Sequence, residues 1–220
     1  MTQRKTSSSV NPVSVTRLRA RQLRVAALSF ALLWTSVGWS AQSSAANNAA
    51  NDPVTFIRGL YTRLNHISQK STDTKALHRK LSGELKQIMD YGELGRRILK
   101  KKTWAKLKDS QRSEFIALLS QMVESSYVRR FRPGVAVTIR YEGDAKRKPD
   151  GRAQVRTHIT VKRTQAAVYY SMTPKGSSWR VYDIVVDDVS QLSTYRRVFR
   201  KALRKEGWPG LIARMKKSVK

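Results

Sequence analysis

Apolar residues in this chain repeat first with the period of a helix and later with that of a strand. Phe56, Ile57, Leu60, Leu64 and Ile67 recur at helical spacing. Asp52-Pro53 precedes them, an N-cap acid followed by proline at the first helical position. Ser71 to Thr74 breaks this helix, and a second is expected from about Thr74 to Met89, with Leu77, Leu81, Leu85, Ile88 and Met89 on one face. Asp90 to Glu93 reads as a capping pair opening a short third helix with Tyr91, Leu94 and Ile98 inward. Trp104 lies in a basic connection between Lys100–Lys102 and Lys106–Lys108. Asp109 is expected to cap a long fourth helix running to about Phe131. Phe115, Leu118, Leu119 and Met122 share one face of it, and Ile116, Val123 and Tyr127 widen that face into a broad stripe.

After Pro133-Gly134 the period changes to two. Val135, Val137 and Ile139 alternate, then Val155, Thr157, Ile159 and Val161 beyond a turn at Lys146 to Gly151, then Val168, Tyr170 and Met172. A fourth strand occupies Ser178–Ser190 and runs into a closing helix with Leu192, Tyr195, Phe199, Ala202 and Leu203 inward. Gly207 ends that helix, and a last one carries Leu211, Ile212 and Met215. Short turns make the strands an antiparallel meander. Helices, then strands, then helices argue for an α+β domain: a curved four-stranded antiparallel sheet covered by helices, a shape that can hold a hydrophobic cavity.

The N-terminal stretch has its own pattern. Arg17, Arg19, Arg21 and Arg24 precede the mostly apolar run Val25–Trp39, and small residues follow at Ser40, Ala41, Ser43, Ala45 and Ala46. This is the layout of a removed secretory signal, assigned here to residues 1–46. A membrane anchor is the alternative. The run is shorter than the roughly 20 residues a spanning helix needs. Residues 52–218 remain as one domain of ordinary size. The chain has no cysteine, hence no disulfide and no thiolate metal site.

Charge sharpens the picture. Six of the 44 Lys and Arg residues (Arg4, Lys5, Arg17, Arg19, Arg21, Arg24) lie in the signal segment and no acid does, leaving 38 bases against 15 acids and a net charge of +23. Such a surface is drawn to nucleic acid or anionic membrane. Export excludes nucleic acid and leaves anionic headgroups. The clusters Arg129, Arg130, Arg132, then Lys146, Arg147, Lys148, and Arg196, Arg197, Arg200, Lys201, Arg204, Lys205 are the candidates for such contact.

Candidate chemistry is thin. His66, His78 and His158 match no metal-ligand spacing and are read as solvated surface. Asp183, Asp187 and Asp188 form an acidic constellation that could do acid–base work. Structural roles suit them better: Asp187 and Asp188 at a helix start, Asp183 paired with an arginine. No nucleotide loop, nucleophile elbow or zinc motif is present. The chain is not expected to be an enzyme or to hold a cofactor.

Five segments, in order, resemble one family. They are D-P-V-T-F-I from Asp52, D-Y-G-E-L-G-R-R-I-L from Asp90 followed by W-A-K-L, the long helix S-Q-R-S-E-F-I-A-L-L-S-Q-M-V-E-S-S-Y, W-R-V-Y-D-I-V-V-D-D-V-S from Trp179, and K-E-G-W-P-G-L-I-A-R-M-K-K from Lys205. Together they resemble the MlaC (toluene-tolerance) family of periplasmic phospholipid-binding proteins. The resemblance implies a monomeric, non-catalytic carrier. It would shuttle a phospholipid between an outer-membrane lipoprotein complex and an inner-membrane ABC transporter complex and maintain outer-membrane lipid asymmetry. The net charge, higher than such a carrier is expected to have, adds transient contact with anionic membrane. A related carrier for another lipid, such as a hopanoid, or a basic binder of an envelope polymer stands as the alternative. By motif position Tyr127, Val168 and Val189 would line the lipid cavity. Periodicity adds Phe115, Leu119, Met122, Tyr170, Tyr182 and Ile184.

Overall fold

The computed structural model describes residues 52–219. The expected signal segment, 1–46, lies outside the described residues. Helix α1 (Pro53–Lys70) opens where Asp52 accepts a hydrogen bond from the Thr55 amide at 2.8 Å. Asp73 caps α2 (Thr74–Ile88) through the Ala76 amide in the same way, and Asp90 caps α3 (Tyr91–Leu99) through that of Glu93. Each carboxylate meets amides that lack an intrahelical partner. The basic connection contains a further short helix, α4 (Lys101–Ala105). Helix α5 spans Asp109–Val128. Asp109 lies inside its first turn and Lys108 holds the N-cap position, its amide donating to Gln111 Oε1 at 2.9 Å. The helix stops before Phe131, in two tight turns whose amides Arg130 and Phe131 bond the carbonyls of Tyr127 and Val128. Pro133 stands just beyond, where its ring disfavours helical backbone before it.

Six antiparallel strands follow, the four expected long ones and two of two residues each. These are β1 (Val137–Tyr141), β2 (Lys146–Arg147), β3 (Ala153–Val161), β4 (Thr164–Lys175), β5 (Ser178–Val186) and β6 (Val189–Ser190), ordered β1-β3-β4-β5-β6 with β2 also on β3. Lys146 and Arg147, expected in a turn, thus pair with Gln154 and Ala153. One face of β3 and β4 carries Val155, Thr157, Val168, Tyr170 and Met172, all buried. The other carries half-exposed Gln154, Arg156 and Tyr169. Between β4 and β5 the register shifts at Ser171/Met172. Asp183 faces Ser171 and Val181 faces Met172, so Tyr182 is the extra residue of a bulge.

The acids after β5 play other parts than expected. Asp187 and Asp188 both have positive φ (46° and 62°) and form the two-residue turn between β5 and β6. The helix start is built instead by Ser190, whose Oγ accepts from the Ser193 amide at 3.0 Å. Asp183, which is buried, pairs with no arginine among the described residues. It accepts from Ser190 Oγ at 2.7 Å and from the Leu192 amide at 2.9 Å, placing an anion at the first turn of α6. Helix α6 (Gln191–Ser218) is broken at Gly207, whose φ of 66° and ψ of −168° suit glycine alone. Its N-terminal half packs Phe199 on Phe115 of α5, and Leu211, Ile212 and Met215 bury its C-terminal half. No helix among the described residues is long and apolar enough to cross a membrane.

Candidate functional site

The inward face of the sheet is not covered evenly. Along β3 burial is complete at Ala153, Val155 and Thr157 and partial at Ile159 and Val161. Along β4 it is partial at Ala166 and nearly complete at Val168, Tyr170 and Met172. The helices close on one end of this face and stand off the other. What opens between them is a cavity of about 520 Å³, within the range typical of ligand pockets. Its walls are Leu60, Tyr61 and Leu64 of α1, Leu81, Leu85 and Ile88 of α2, Tyr127 at the end of α5, and the sheet residues Val137, Ile159, Val161, Ala166, Val168, Tyr170, Ile184 and Val186. The helical spacing of α1 and α2 turns one apolar stripe of each toward the sheet, so these walls follow from the sequence period.

Polar groups in the chamber are few and neutral. The hydroxyls of Tyr61 and Tyr170 bond to each other at 2.5 Å in a buried setting. Burial pushes both phenols, and that of Tyr127, far above their ordinary pKa. They therefore stay uncharged at any physiological pH. Thr157 turns its hydroxyl away to the Val168 carbonyl at 2.9 Å. The Tyr127 hydroxyl is buried without a hydrogen-bond partner.

The remaining lining residues, Arg129, Arg130, Phe131, Arg132, Val135, Lys162 and Thr164, come from the loop after α5, from the β3–β4 turn and from the first residue of β4. The three arginines, Lys162 and Thr164 are exposed and form a rim. Buried Ser68 holds the loop in place. Its hydroxyl is shared between the carbonyls of Arg132 (2.9 Å) and Val135 (2.8 Å), and its own carbonyl accepts from the Gly134 amide (2.9 Å). Asn65 bonds both the amide and the carbonyl of Val137, each at 2.8 Å, fixing the edge strand to α1.

Of the nine residues assigned to the cavity from sequence, Tyr127, Val168, Tyr170 and Ile184 stand on its wall. The other five are elsewhere. Phe115 and Leu119 are fully buried in a core made by the helices themselves, where Phe115 meets Trp104, Phe199 and Trp208 at ring separations of 5.8–6.4 Å. Helix α5 packs on α2, α3 and α6, so its broad stripe serves helix–helix contact, and only its last turn reaches the chamber. Met122 lines a separate groove of about 240 Å³ with Phe199, Leu211 and Met215 of α6. The bulge takes Tyr182 out of the alternation: its ring lies 4.3 Å under the Arg97 guanidinium, and its hydroxyl is 3.5 Å from Arg152. Val189, on β6 past the turn, is 58 % exposed.

Sequence reasoning passed over Leu60, Leu64, Leu81, Leu85, Ile88, Ile159 and Val161 as cavity residues, although each belongs to an apolar series seen there. The histidines are surface groups in part only. His66 is exposed, His158 is paired with Glu142, and His78 is half-buried with its Nε2 shielded from solvent.

Fold and chamber together define a class: an α+β domain whose sheet and helices enclose an apolar cavity where a solid core would otherwise be. A family model described as MlaC protein matches residues 57–217, and the chain belongs to that family. Among solved structures it is similar to a phospholipid-binding protein from Ralstonia solanacearum in complex with a phospholipid, with a TM-score of 0.67 and 16 % identity, covering 76 % of this chain and 97 % of that one. No curated protein matches the chain.

Proposed function

We propose that the protein is a periplasmic phospholipid carrier, shuttling lipid between an outer-membrane lipoprotein complex and an inner-membrane ABC transporter and so maintaining outer-membrane lipid asymmetry. The observation that carries this reading is the 520 Å³ apolar chamber, closed by α1, α2 and the sheet and open at a cationic rim. Membership of the MlaC family supports it, as does the similarity in fold to a protein solved with a phospholipid. Acyl chains lie against Tyr127, Val168, Tyr170 and Ile184 and the facing stripes of α1 and α2, while the headgroup stays in water at the rim.

The protein acts by burial, without chemistry. Each methylene removed from water contributes about 0.8 kcal/mol, so a long-chain lipid does not leave for water at a useful rate. A carrier holds the chains until a partner lowers the exit barrier. The basic residues of α6 and of the rim give the surface that meets anionic membrane in passing.

Lipid extraction and native mass spectrometry of the purified protein test the reading. Bound phospholipid, and uptake of labelled phospholipid from vesicles by delipidated protein, are the expected results. Protein that carries no lipid and takes none up from vesicles would overturn it.

A further inference from the structure

The rim is built from two sides. Arg129, Arg130 and Arg132 come from the loop after α5, and Lys162 stands opposite on the β3–β4 turn, where its φ is 54°. Among the described residues, no carboxylate lines the cavity or its mouth. With so many more bases than acids, some cations must go unpaired. These four differ from the rest in their place around the opening.

Arg129 Nε donates to the Ser125 carbonyl at 3.1 Å, and Arg132 Nη1 to the carbonyls of Arg129 (2.5 Å) and Phe131 (2.9 Å). The Arg130 guanidinium lies 5.6 Å from the centre of the Tyr127 ring, which is itself a wall of the chamber. These contacts orient the guanidinium groups and offset none of their charge, and no ion pair among the described residues engages any of the four. By contrast Arg97 is paired with Glu93, and Arg152 with Asp150.

A lipid whose chains fill the chamber must hold its headgroup among these cations. Every phospholipid brings a phosphate, which suits the guanidinium fork. A zwitterionic headgroup brings a positive group as well, which the rim cations repel through water that screens charge over a Debye length of about 8 Å. A net anionic headgroup does not. We propose, resting on the carrier reading, that the rim makes the protein selective for phospholipids of net negative headgroup charge over zwitterionic ones with the same chains. One exposed cation near an anionic lipid is worth about a fivefold change in affinity. Four partly screened ones give an expected preference of at least about tenfold.

The test loads the purified, delipidated protein from vesicles containing equal amounts of phosphatidylglycerol and phosphatidylcholine with identical chains. Because both lipids share one membrane, attraction of the protein to the vesicle surface favours neither. Mass spectrometry of the recovered protein reads the ratio of bound lipids. The wild type is expected to show the tenfold bias and to lose most of it in 1 M salt. The variant Arg129→Gln/Arg130→Gln/Arg132→Gln/Lys162→Gln is expected to load lipid with a ratio near one. The variant Arg200→Gln/Lys201→Gln/Arg204→Gln, altered on α6 away from the cavity, is expected to keep the bias. A wild-type ratio near one with lipid bound overturns the selectivity and leaves the carrier reading standing. So does a bias undiminished by salt, one that survives in the rim variant, or one lost in the α6 variant. Wild-type protein that takes up neither lipid overturns the carrier reading itself.

Discussion

Val168 and Val189 were joined by sequence as cavity residues and are set apart by the fold, which makes them a matched pair for substitution by glutamate. Val168 is 6 % exposed, opposite Thr157 on β3 and Val186 on β5, with Ala166 and Tyr170 flanking it on the chamber wall. In Val168→Glu a carboxyl group faces hydrocarbon on every side that lipid would occupy. An uncompensated buried carboxylate costs several kcal/mol even after relaxation, and buried glutamates can titrate as high as about pH 8–9. A rise of about three pH units from the ordinary value corresponds to ~4 kcal/mol, or roughly a thousandfold in equilibrium. The acid is then neutral at pH 5 and ionised at pH 9. Uptake of labelled phospholipid from vesicles should fall at least about 100-fold at pH 9 and recover in large part at pH 5. Val189→Glu adds a charge to a side chain that is 58 % exposed. Its effect on stability should stay within about 0.5 kcal/mol, with uptake unchanged at both pH values. Circular dichroism establishes that each variant is folded, and Ala166→Glu, nearer the mouth, replaces Val168→Glu if that variant does not fold. Wild-type uptake by Val168→Glu at pH 9, or its abolition by Val189→Glu, would refute the placement of the site.

Other predictions rest on polar contacts around the chamber. Tyr61→Phe and Tyr170→Phe each remove one partner of the buried hydroxyl pair and should cost about 1–3 kcal/mol in urea unfolding. The double variant should cost less than the two together, because no orphaned hydroxyl remains of the pair, and strict additivity would count against that contact. Ser68→Ala strips the Arg132 and Val135 carbonyls of their shared donor. It should destabilise by about 1–2 kcal/mol and speed hydrogen exchange at the Gly134 amide; unchanged protection there would show that the loop is held by other means. Glu124 of α5 is buried, and burial raises its pKa against the opposing pull of Lys86 and of the Tyr91 hydroxyl. The folded state therefore binds its proton more tightly than the unfolded chain does. That contribution to stability is complete below the unfolded value, near pH 4.5, and is lost as pH rises through the folded value. Glu124→Gln should flatten thermal stability across this window, and a stability that climbs with pH only in the wild type would contradict the direction.

Much of this architecture is written in local patterns. Asp52, Asp73 and Asp90 act within three residues of themselves, so their helices are legible from the chain alone. The change from a period near 3.6 to a period of 2 marks where helices give way to strands, and the switch at Gly207 needs only one residue's backbone freedom. The acids after β5 were harder. Asp-Asp is equally compatible with a helix start and with a two-residue hairpin turn. The choice depends on Val185 and Val186 pairing back onto Ser190 and Val189, a contact between segments.

The cavity lies at the limit of what sequence can state. An apolar face says that a residue turns away from water, and the hydrophobic effect rewards that equally whether a side chain meets protein or lipid. Hence Phe115 and Tyr127, on the same stripe of one helix, look alike in sequence. One is fully enclosed by Trp104, Phe199 and Trp208, and the other stands on an open chamber. The bulge at Tyr182 is likewise invisible in the strand it interrupts, because a register shift is a property of two strands. Sequence by itself determined the elements, their order and the inward faces. Tertiary structure decided which inward faces meet each other and which are held apart, because that depends on how α1, α2 and α5 are spaced over one end of the sheet.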